Sequence, residues 1–483
     1  MALPVLQGLK ARYTDCHSTF FVETGFEAGL LHSPYCDEIA QFPRKELRNR
    51  LNSMQWRDGV GQAAEATKRL TGKKFDVVIN LCQHTYISYF ATLFKGSTTL
   101  GRHFLPEGNH AVIDPWSLYL YAVPFSRRSN SLHAVDVYRR IAGVAAHCGS
   151  YGICLTEEEK KWARTFLTAK GIDYGKKIMV LQAGAAFASK TWPVEHFITL
   201  GNLLVKNDWQ IVLTGAPQEL DMVSGIFSGI GSACFKTAGE TTFRQSITLC
   251  SMAQGCVTGD TAQMHGAAGL GVPVYALFGA TNPVETGPYG NGHWVFSAHC
   301  PDRPCFNDVC KTSLCMKSIT PQTVFNCIVN NDPGANPRCD VYKTVLEPGG
   351  DFQLTPVNSD VFSFYNNAQA ASARCAFGEQ AGGAMVAVEE TDRIAAETTE
   401  WIACVELMGD ALDEYLRTKT AGSIQRFESI KASLTRFSTI GAFWTALLNL
   451  RLNGIPLLDP LKGVEQSREV CRDLTGKIKK TLS

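Results

Sequence analysis

Residues 255–292 read GCVTGDTAQMHGAAGLGVPVYALFGATNPVETGPYGNG, and this stretch decides the fold. A β-branched run ending in Thr258, Gly259 and Asp260 predicts a strand, residues 261–270 predict a short helix, and residues 272–278 predict a second strand. In open parallel sheets, ligands bind beyond the carboxyl ends of the strands, and both of these strands end in polar or glycine-rich segments. The first turn of the helix offers free backbone N–H groups and a positive dipole end, where a diphosphate would bind.

Length and composition indicate an ordinary globular protein. The 483 residues suffice for two or three domains, and 46 basic against 45 acidic residues argue against a chain-wide partner such as nucleic acid. No apolar run approaches the roughly 20 residues of a spanning helix, and the N-terminus lacks the pattern of a secretion signal, so we expect a cytoplasmic protein. The 17 cysteines are scattered through predicted strands and helices, which indicates reduced thiols.

The opening stretch resembles the sugar-binding signature of glycosyltransferase family 9, the ADP-heptose:lipopolysaccharide heptosyltransferases. That signature has an Asp followed by Thr or Ser, a His four residues after that hydroxyl residue, a small-residue helix, a Pro-led strand ending in Phe-Gly, and a Thr-x-Pro then Gly-Pro loop. The residues that match are Asp260, Thr261, His265, Pro273, Phe278, Gly279, Thr281, Pro283, Gly287 and Pro288. For any one of them, a structural turn that only shapes a loop is the alternative.

The resemblance, which covers about residues 2–329, implies a GT-B fold with two Rossmann-like α/β domains facing each other across a cleft. We expect an acceptor-side domain over 1–170, a donor-binding domain over 171–330, a linker with a short hairpin over 331–385, and an α-helical appendage over 386–483. An apolar stripe at helical spacing predicts that the appendage is a bundle, namely Trp401, Val405, Met408, Leu412 and Leu416. A partner or membrane-surface role for the segment with Phe437, Phe443 and Trp444 is the alternative.

Two further segments supply donor-side candidates. Lys190 follows a predicted strand and a small-residue loop, in a Lys-x-Trp-Pro element similar to the donor-phosphate loop of the family. The family often has hydroxyl residues where this chain has Ala185 and Ala186, so backbone donors would have to replace them. An isolated surface lysine is the less favoured alternative for Lys190. In the family an acidic residue of the loop after the next strand contacts the donor ribose, and the resemblance makes Glu219 the candidate, with Gln218 second; a helix-start Glu is an equal alternative.

The resemblance implies inverting transfer of a sugar, with heptose expected, from an ADP-sugar to a lipopolysaccharide core or related glycan. Lys190 and the helix amides of Thr261 and Ala262 would stabilise the departing diphosphate. Asp260 would bind sugar hydroxyls, and His265 would orient or contact the donor. Gly279 and Thr281 complete the predicted donor site, and no cofactor is required.

The acceptor-side candidates are His84 and Arg102, each of which follows a predicted strand of the first domain; solvent-facing side chains are the alternative. In the resembling family an Asp in a Gly-Asp loop after the first strand is the presumed base, and this sequence starts within the helix that follows that loop. We therefore expect a misplaced start or a truncated gene rather than a rebuilt domain, because losing a central strand is costly. On the residues present, we expect ADP binding with weak sugar transfer.

Two other functions remain open. The chain could be a catalytically silent nucleotide-sugar-binding or scaffolding protein, or a GT-B enzyme that uses a UDP-sugar. For the enzyme, the expected partners are a nucleotide sugar and a lipopolysaccharide or glycan acceptor. Peripheral association with the cytoplasmic face of the inner membrane is compatible with binding both partners.

Four evenly spaced cysteines follow the signature, with four residues between successive members: Cys300, Cys305, Cys310 and Cys315. A structural zinc site is compatible with four thiolates, although the spacing lacks the usual CxxC pairs. Loop thiols and a disulfide are the alternatives.

Overall fold

The structure is a computed structural model that describes residues 1–104, 110–111, 114–125, 127, 130–144, 151–298, 304–305, 314–335, 338–346, 351–357, 402–408, 410–412, 414, 425–426, 429–430, 469–473 and 476. Contacts divide the chain into two compact units. Unit 1 comprises Met1–Gly72, His133–Arg139 and Val144–Asp360, and unit 2 comprises Lys73–Leu132, Arg140–Gly143 and Val361–Ser483. The predicted domain ranges do not coincide with these units and stay predictions.

The strands of the described residues are β1 (Thr19–Glu23), β2 (Glu38–Phe42), β3 (Lys74–Asn80), β4 (Lys95–Gly101), β5 (His103–Phe104), β6 (His110–Ala111), β7 (Lys177–Gln182), β8 (Trp209–Thr214), β9 (Cys234–Lys236), β10 (Gly255–Gly259), β11 (Val274–Phe278), β12 (Trp294–Ala298), β13 (Cys339–Leu346) and β14 (Phe352–Pro356).

The α-helices of the described residues are α1 (Leu3–Arg12), α2 (Arg44–Asn52), α3 (Trp56–Thr71), α4 (Thr85–Leu93), α5 (Pro115–Ala122), α6 (Ala134–Ile141), α7 (Glu157–Lys170), α8 (Val194–Val205), α9 (Leu220–Ile230), α10 (Phe243–Cys250), α11 (Ala262–Gly269), α12 (Pro283–Thr286), α13 (Leu314–Ser318) and α14 (Pro321–Asn330).

Unit 1 contains an eight-stranded sheet in the order β14-β13-β12-β11-β10-β7-β8-β9. Strands β7 to β12 pair in parallel, whereas β13 and β14 add an antiparallel edge. The central strands are buried along almost their whole length, as their continuous apolar sequences require in a parallel sheet covered on both faces. The predicted strand-helix-strand unit of the signature is confirmed as β10, α11 and β11.

The short hairpin predicted within the 331–385 linker is confirmed as β13 and β14. It joins the eight-stranded sheet through the pairing of β13 with β12, so this part of the predicted 331–385 linker belongs to the sheet. The sequence could not show this, because the apolar alternation of a hairpin does not say which strand it pairs with.

The core of unit 1 lies between the sheet and three helices. Helix α8 packs against α9 and α14, and their apolar side chains meet alternate residues of the strands. Leu200, Leu204 and Ile226 are fully buried there, and each such side chain contributes about 1.5–3 kcal/mol. Helix α10 packs against α7 and against α11. This packing fixes the strand ends, and therefore the loops that leave them.

The remaining strands form short pairs. Strands β1 and β2 pair in parallel in unit 1, and β3 and β4 pair in parallel in unit 2, where β5 and β6 form a small antiparallel pair. The helix in which the sequence starts is confirmed as α1, and the strand predicted ahead of His84 is confirmed as β3.

The C-terminal appendage lies largely outside the described residues. Those described, such as residues 402–408 and 469–473, are helical, and Val405, Met408 and Leu412 of the predicted stripe are buried. Trp401, Leu416 and the aromatic segment around residues 437–444 lie outside the described part, so the bundle stays a prediction.

Candidate active site

Two loops leave the sheet at the point where its strand order reverses. From β7 the chain continues to β8 and β9 on one side, and then returns to build β10, β11 and β12 on the other. Ligands of open α/β sheets bind at such switch points, beyond the carboxyl ends of the strands. Lys190 follows β7 and Asp260 follows its neighbour β10, so the topology brings the two predicted donor-site residues to one edge.

Lys190 and Asp260 form an ion pair. The Nζ of Lys190 lies 2.8 Å from Oδ2 of Asp260 and 3.5 Å from its backbone oxygen. The lysine side chain is 15% exposed and the aspartate 9%, so both charges are mostly withdrawn from water but still reachable by a ligand. A shielded ammonium of this kind interacts with phosphate more strongly than a solvated lysine does, which argues against a surface role for Lys190.

Trp192 fixes the loop that carries Lys190. Its side chain is 1% exposed, and its Nε1–H donates to the backbone oxygen of Ile319 at 2.8 Å. Gly259 allows the loop to approach β10, since a Cβ at this position would lie 3.2 Å from the Lys190 carbonyl oxygen. The Lys-x-Trp-Pro element therefore combines a partly exposed lysine with a core anchor.

The N-terminus of α11 has no side-chain cap. Thr261 occupies the N-cap position with extended backbone, but its hydroxyl lies 3.0 Å from Thr258 Oγ1 and 3.1 Å from Gln182 Oε1 instead. Gln182 also accepts from Thr258 at 2.7 Å and donates to the Gly184 oxygen. Within the described part of the chain, the N-cap side chain thus leaves the first N–H groups of the helix, including that of exposed Ala262, without a cap, and an anion would satisfy them.

Gln182 was not among the site residues predicted from the sequence. A polar residue ending the apolar strand KIMVLQ was the available signal, because a polar side chain at the carboxyl end of a buried strand requires a partner.

His265 lies one turn into α11. Its Nδ1 is 2.9 Å from the hydroxyl of Tyr151, a residue that the sequence analysis did not single out. The ring is partly exposed, yet desolvation by the surrounding protein lowers the pKa of His265 to about 3. The imidazole is therefore neutral at physiological pH and would act by hydrogen bonding rather than by charge.

The loop after β11 is packed tightly. A Cβ at Gly279 would lie 2.9 Å from the Ser189 carbonyl oxygen and would overlap the Met316 side chain, so only glycine fits between these groups. Thr281 is 1% exposed, and its hydroxyl has no hydrogen-bond partner among the described residues. A buried hydroxyl without a partner costs about 1–3 kcal/mol, which a ligand oxygen would recover.

Glu219 makes the helix-start contact that the alternative interpretation predicted. Its Oε2 accepts from the backbone N–H of Ala216 at 2.8 Å. The carboxylate also lies directly against Gly184 in the loop after β7, where an added Cβ would collide with it. Both interpretations of Glu219 are thus compatible with its position.

The acceptor-side candidates lie in unit 2. His84 is exposed at the N-cap position of α4, and Arg102 directly follows β4. The guanidinium of Arg102 lies over the Tyr121 ring at 4.5 Å, and its backbone oxygen accepts from Asn80 at 2.6 Å. Both residues follow the carboxyl ends of paired parallel strands, as predicted.

Cys305 and Cys315 of the predicted cluster lie among the described residues, Cys305 half-buried and Cys315 buried. Cys300 and Cys310 lie outside the described residues. Within the described part of the chain, no group of three or more His, Cys, Asp or Glu residues could hold a metal ion. The zinc site therefore has no support and stays a prediction.

The parallel sheet with its ligand-accessible strand ends has the α/β architecture of the GT-B type, as the matching solved structures show. A solved structure of a family 9 glycosyltransferase from Veillonella parvula matches with a TM-score of 0.56 at 21% identity, covering 68% of this chain and 92% of the other. An Escherichia coli heptosyltransferase, WaaC with ADP-2-deoxy-2-fluoro heptose, matches with a TM-score of 0.50 at 19% identity, covering 68% and 95%. At these identities the likeness shows the fold.

The chain belongs to glycosyltransferase family 9 (heptosyltransferase), whose sequence profile matches residues 64–315, more than half of its length. The lipopolysaccharide core heptosyltransferase OpsX of Haemophilus influenzae is 23% identical over 307 residues, covering 62% of this chain and 80% of the relative. Lipopolysaccharide heptosyltransferase 1 of Pseudomonas aeruginosa is 25% identical over 274 residues, covering 55% and 70%. The chain is therefore a glycosyltransferase, and a silent scaffold is not favoured. Among the described helices, none has the length and apolar character needed to cross a membrane.

Proposed function

We propose that this glycosyltransferase transfers a heptose from ADP-heptose to a lipopolysaccharide core. The observation that carries the proposal is the Lys190–Asp260 pair beside the uncapped N-terminus of α11. The relatives named as lipopolysaccharide heptosyltransferases support the sugar and the acceptor, and the ADP-linked fluoro heptose held by WaaC supports an ADP-linked donor. Cytoplasmic location, with peripheral association at the inner membrane, is part of the proposal.

In the proposed reaction, an acceptor hydroxyl oxygen attacks the anomeric carbon as the bond from that carbon to the diphosphate breaks. ADP leaves with the bonding electron pair, and a base takes the acceptor proton. A single displacement from the opposite face inverts the configuration at the anomeric carbon. The chain must therefore stabilise the negative charge that develops on the diphosphate and hold the sugar for in-line attack.

Lys190 and the backbone N–H groups of Thr261 and Ala262 would stabilise the leaving diphosphate. They combine a full positive charge with the positive end of a helix dipole in a partly shielded site, where electrostatic interactions are strengthened. Asp260, held by Lys190, would accept hydrogen bonds from sugar hydroxyls, and His265 would contact the donor from the next turn.

The remaining residues would complete the binding of substrates. Glu219 would accept from the ribose hydroxyls, and Gly279 with Thr281 would line the donor site, where the Thr281 hydroxyl would gain its missing partner. His84 and Arg102 would bind the acceptor. We assign no residue of this sequence as the base.

The test is a nucleotide titration followed by a transfer assay. We expect ADP to bind with one site per chain and UDP to bind at least about tenfold more weakly, because WaaC, which shares this fold, holds an ADP-sugar. Labelled heptose should then appear on a heptose-free lipopolysaccharide core. A preference for UDP would point to a different nucleotide donor, and no binding of either nucleotide would contradict the proposal.

A further inference from the structure

Tyr151 contacts a donor-site residue from a distant part of the sequence. Its hydroxyl lies 2.9 Å from Nδ1 of His265, 114 positions away, and the two rings meet edge to face with their centroids 5.6 Å apart. Tyr151 is 1% exposed, whereas His265 is partly exposed. Since Tyr151 engages Nδ1, the ring atom of His265 that remains for a ligand is Nε2.

The surroundings of the Tyr151 hydroxyl decide the direction of this hydrogen bond. Among the described residues, Nδ1 of His265 is the hydrogen-bond partner of this hydroxyl, and the tyrosine side chain is only 1% exposed. If Nδ1 carried the proton and donated it to the phenolic oxygen, the buried O–H of Tyr151 would lack an acceptor at a cost of about 1–3 kcal/mol, so the phenol donates to Nδ1. A neutral imidazole that accepts at Nδ1 carries its proton on Nε2.

Buried partners hold Tyr289 in place. Its hydroxyl donates to Asp136 Oδ1 at 2.8 Å, and Asp136 is in turn paired with Arg139 at 2.7 Å. The preceding loop is held by His133, whose Nδ1 accepts from a backbone N–H, so that its Nε2–H donates to the Gly287 oxygen at 3.0 Å. The Tyr289 ring, whose centroid lies 5.6 Å from that of Tyr151, is therefore held against Tyr151 by contacts with Asp136 of α6.

We propose that Tyr151 is a positioning residue that holds His265 in the tautomer with its proton on Nε2, so that the ring presents a hydrogen-bond donor to an oxygen of the nucleotide sugar. The identity of that ligand rests on the proposed function. The tautomer rests on the hydrogen bonds alone. Without the hydrogen bond from Tyr151, the His265 ring can also carry its proton on Nδ1. Its Nε2 is then a hydrogen-bond acceptor, which would repel the same ligand oxygen.

The test is a long-range proton–nitrogen correlation spectrum of the full chain labelled with ¹⁵N-histidine, recorded near neutral pH, with His265→Gln assigning the signal. We expect the pattern of a neutral ring protonated at Nε2. In Tyr151→Phe we expect a mixture of both tautomers, together with an increase in the KM for the sugar donor of about tenfold, the cost of one hydrogen bond. Tyr174→Phe is the matched control, because that hydroxyl only donates to the backbone oxygen of Arg164.

A wild-type spectrum with the proton on Nδ1 would overturn the proposal, and this result needs no variant to fold. A Tyr151→Phe spectrum that keeps the Nε2 proton alone would overturn it as well. If the spectra behave as expected while the wild-type chain neither binds ADP nor transfers sugar, the proposed function fails and the tautomer assignment stands.

Discussion

Lys190 and Asp260 are 70 positions apart in the sequence and 2.8 Å apart in the structure. Each follows the carboxyl end of a strand, and those strands, β7 and β10, are neighbours because the strand order reverses between them. The pair thus occupies the place in this sheet where two loops diverge and leave room for a ligand. Its charges lie beside an uncapped helix N-terminus, which makes the site suited to a group that carries both phosphate and sugar hydroxyls.

Asp260→Asn should lower kcat with little loss of folding stability. The amide keeps the shape of the carboxylate but weakens its hold on Lys190 and on a sugar hydroxyl, so we expect a roughly 10- to 100-fold decrease in kcat. Steady-state kinetics with ADP-heptose measure the change. Asp208→Asn is the control, because that side chain is 92% exposed. Equal kcat and KM values for Asp260→Asn and the wild type would refute a role for Asp260.

Gly279→Ala should destabilise the protein by about 1–3 kcal/mol, because the new Cβ would press on the Ser189 carbonyl and on Met316. Urea unfolding measures this difference. Gly225→Ala provides the opposite control: nothing lies within 4 Å of a Cβ there, and alanine in the middle of α9 should stabilise by up to about 1 kcal/mol. If both variants unfold at the same urea concentration as the wild type, the loop after β11 is not packed tightly around Gly279.

Folding stability should fall as the pH decreases below about 6.5, the pKa of a histidine in the unfolded chain. Burial lowers the pKa of His133 from 6.5 to about 3, so the unfolded chain binds a proton that the folded chain does not. The contribution of His133 is therefore complete above about pH 6.5 and decreases as the pH falls toward 3, with about 2 kcal/mol lost between pH 7 and pH 5.

Chemical unfolding at the two pH values measures this loss. His133→Gln should reduce the dependence by about that amount, whereas His17→Gln should not, because the His17 side chain is 67% exposed. An identical pH dependence in the wild type and His133→Gln would mean that the His133 ring is not buried in its neutral form.

Glu219→Gln should separate ribose binding from phosphate binding. If the carboxylate accepts from ribose hydroxyls, the variant should bind ADP about tenfold more weakly and inorganic pyrophosphate equally well. Calorimetric titrations with both ligands measure the two affinities. Glu195→Gln, an exposed acid in the first turn of α8, is the control. If the variant binds both ligands as tightly as the wild type, Glu219 does not bind the ribose and makes only its helix-start contact to Ala216.

The sequence predicted the local elements of the site and not the contacts between them. Strand, helix and strand around Asp260 followed from β-branched runs and glycine positions, and Lys190 was placed after a buried strand by the same rules. Their ion pair could not be predicted, because it depends on β7 and β10 being neighbours, which is a property of the topology.

The same reason hides the Tyr151–His265 hydrogen bond. Tyr151 stands in a segment without helical or strand periodicity, and its partner is 114 residues away, so no local pattern connects them. Gln182 was closer to prediction, as a polar residue that ends an apolar strand, but its bonds to Thr258 and Thr261 again cross between strands. Local rules place side chains at strand ends, and only packing decides which of them meet.

The most direct test of the central claim, that a diphosphate binds between Lys190 and the N-terminus of α11, is the affinity for ADP of Lys190→Met compared with the wild type. Calorimetry should show ADP bound to the wild type and at least about tenfold weaker binding to Lys190→Met, with exposed Lys206→Met unchanged. Equal affinity of Lys190→Met and the wild type, or a wild type that does not bind ADP, would contradict the claim.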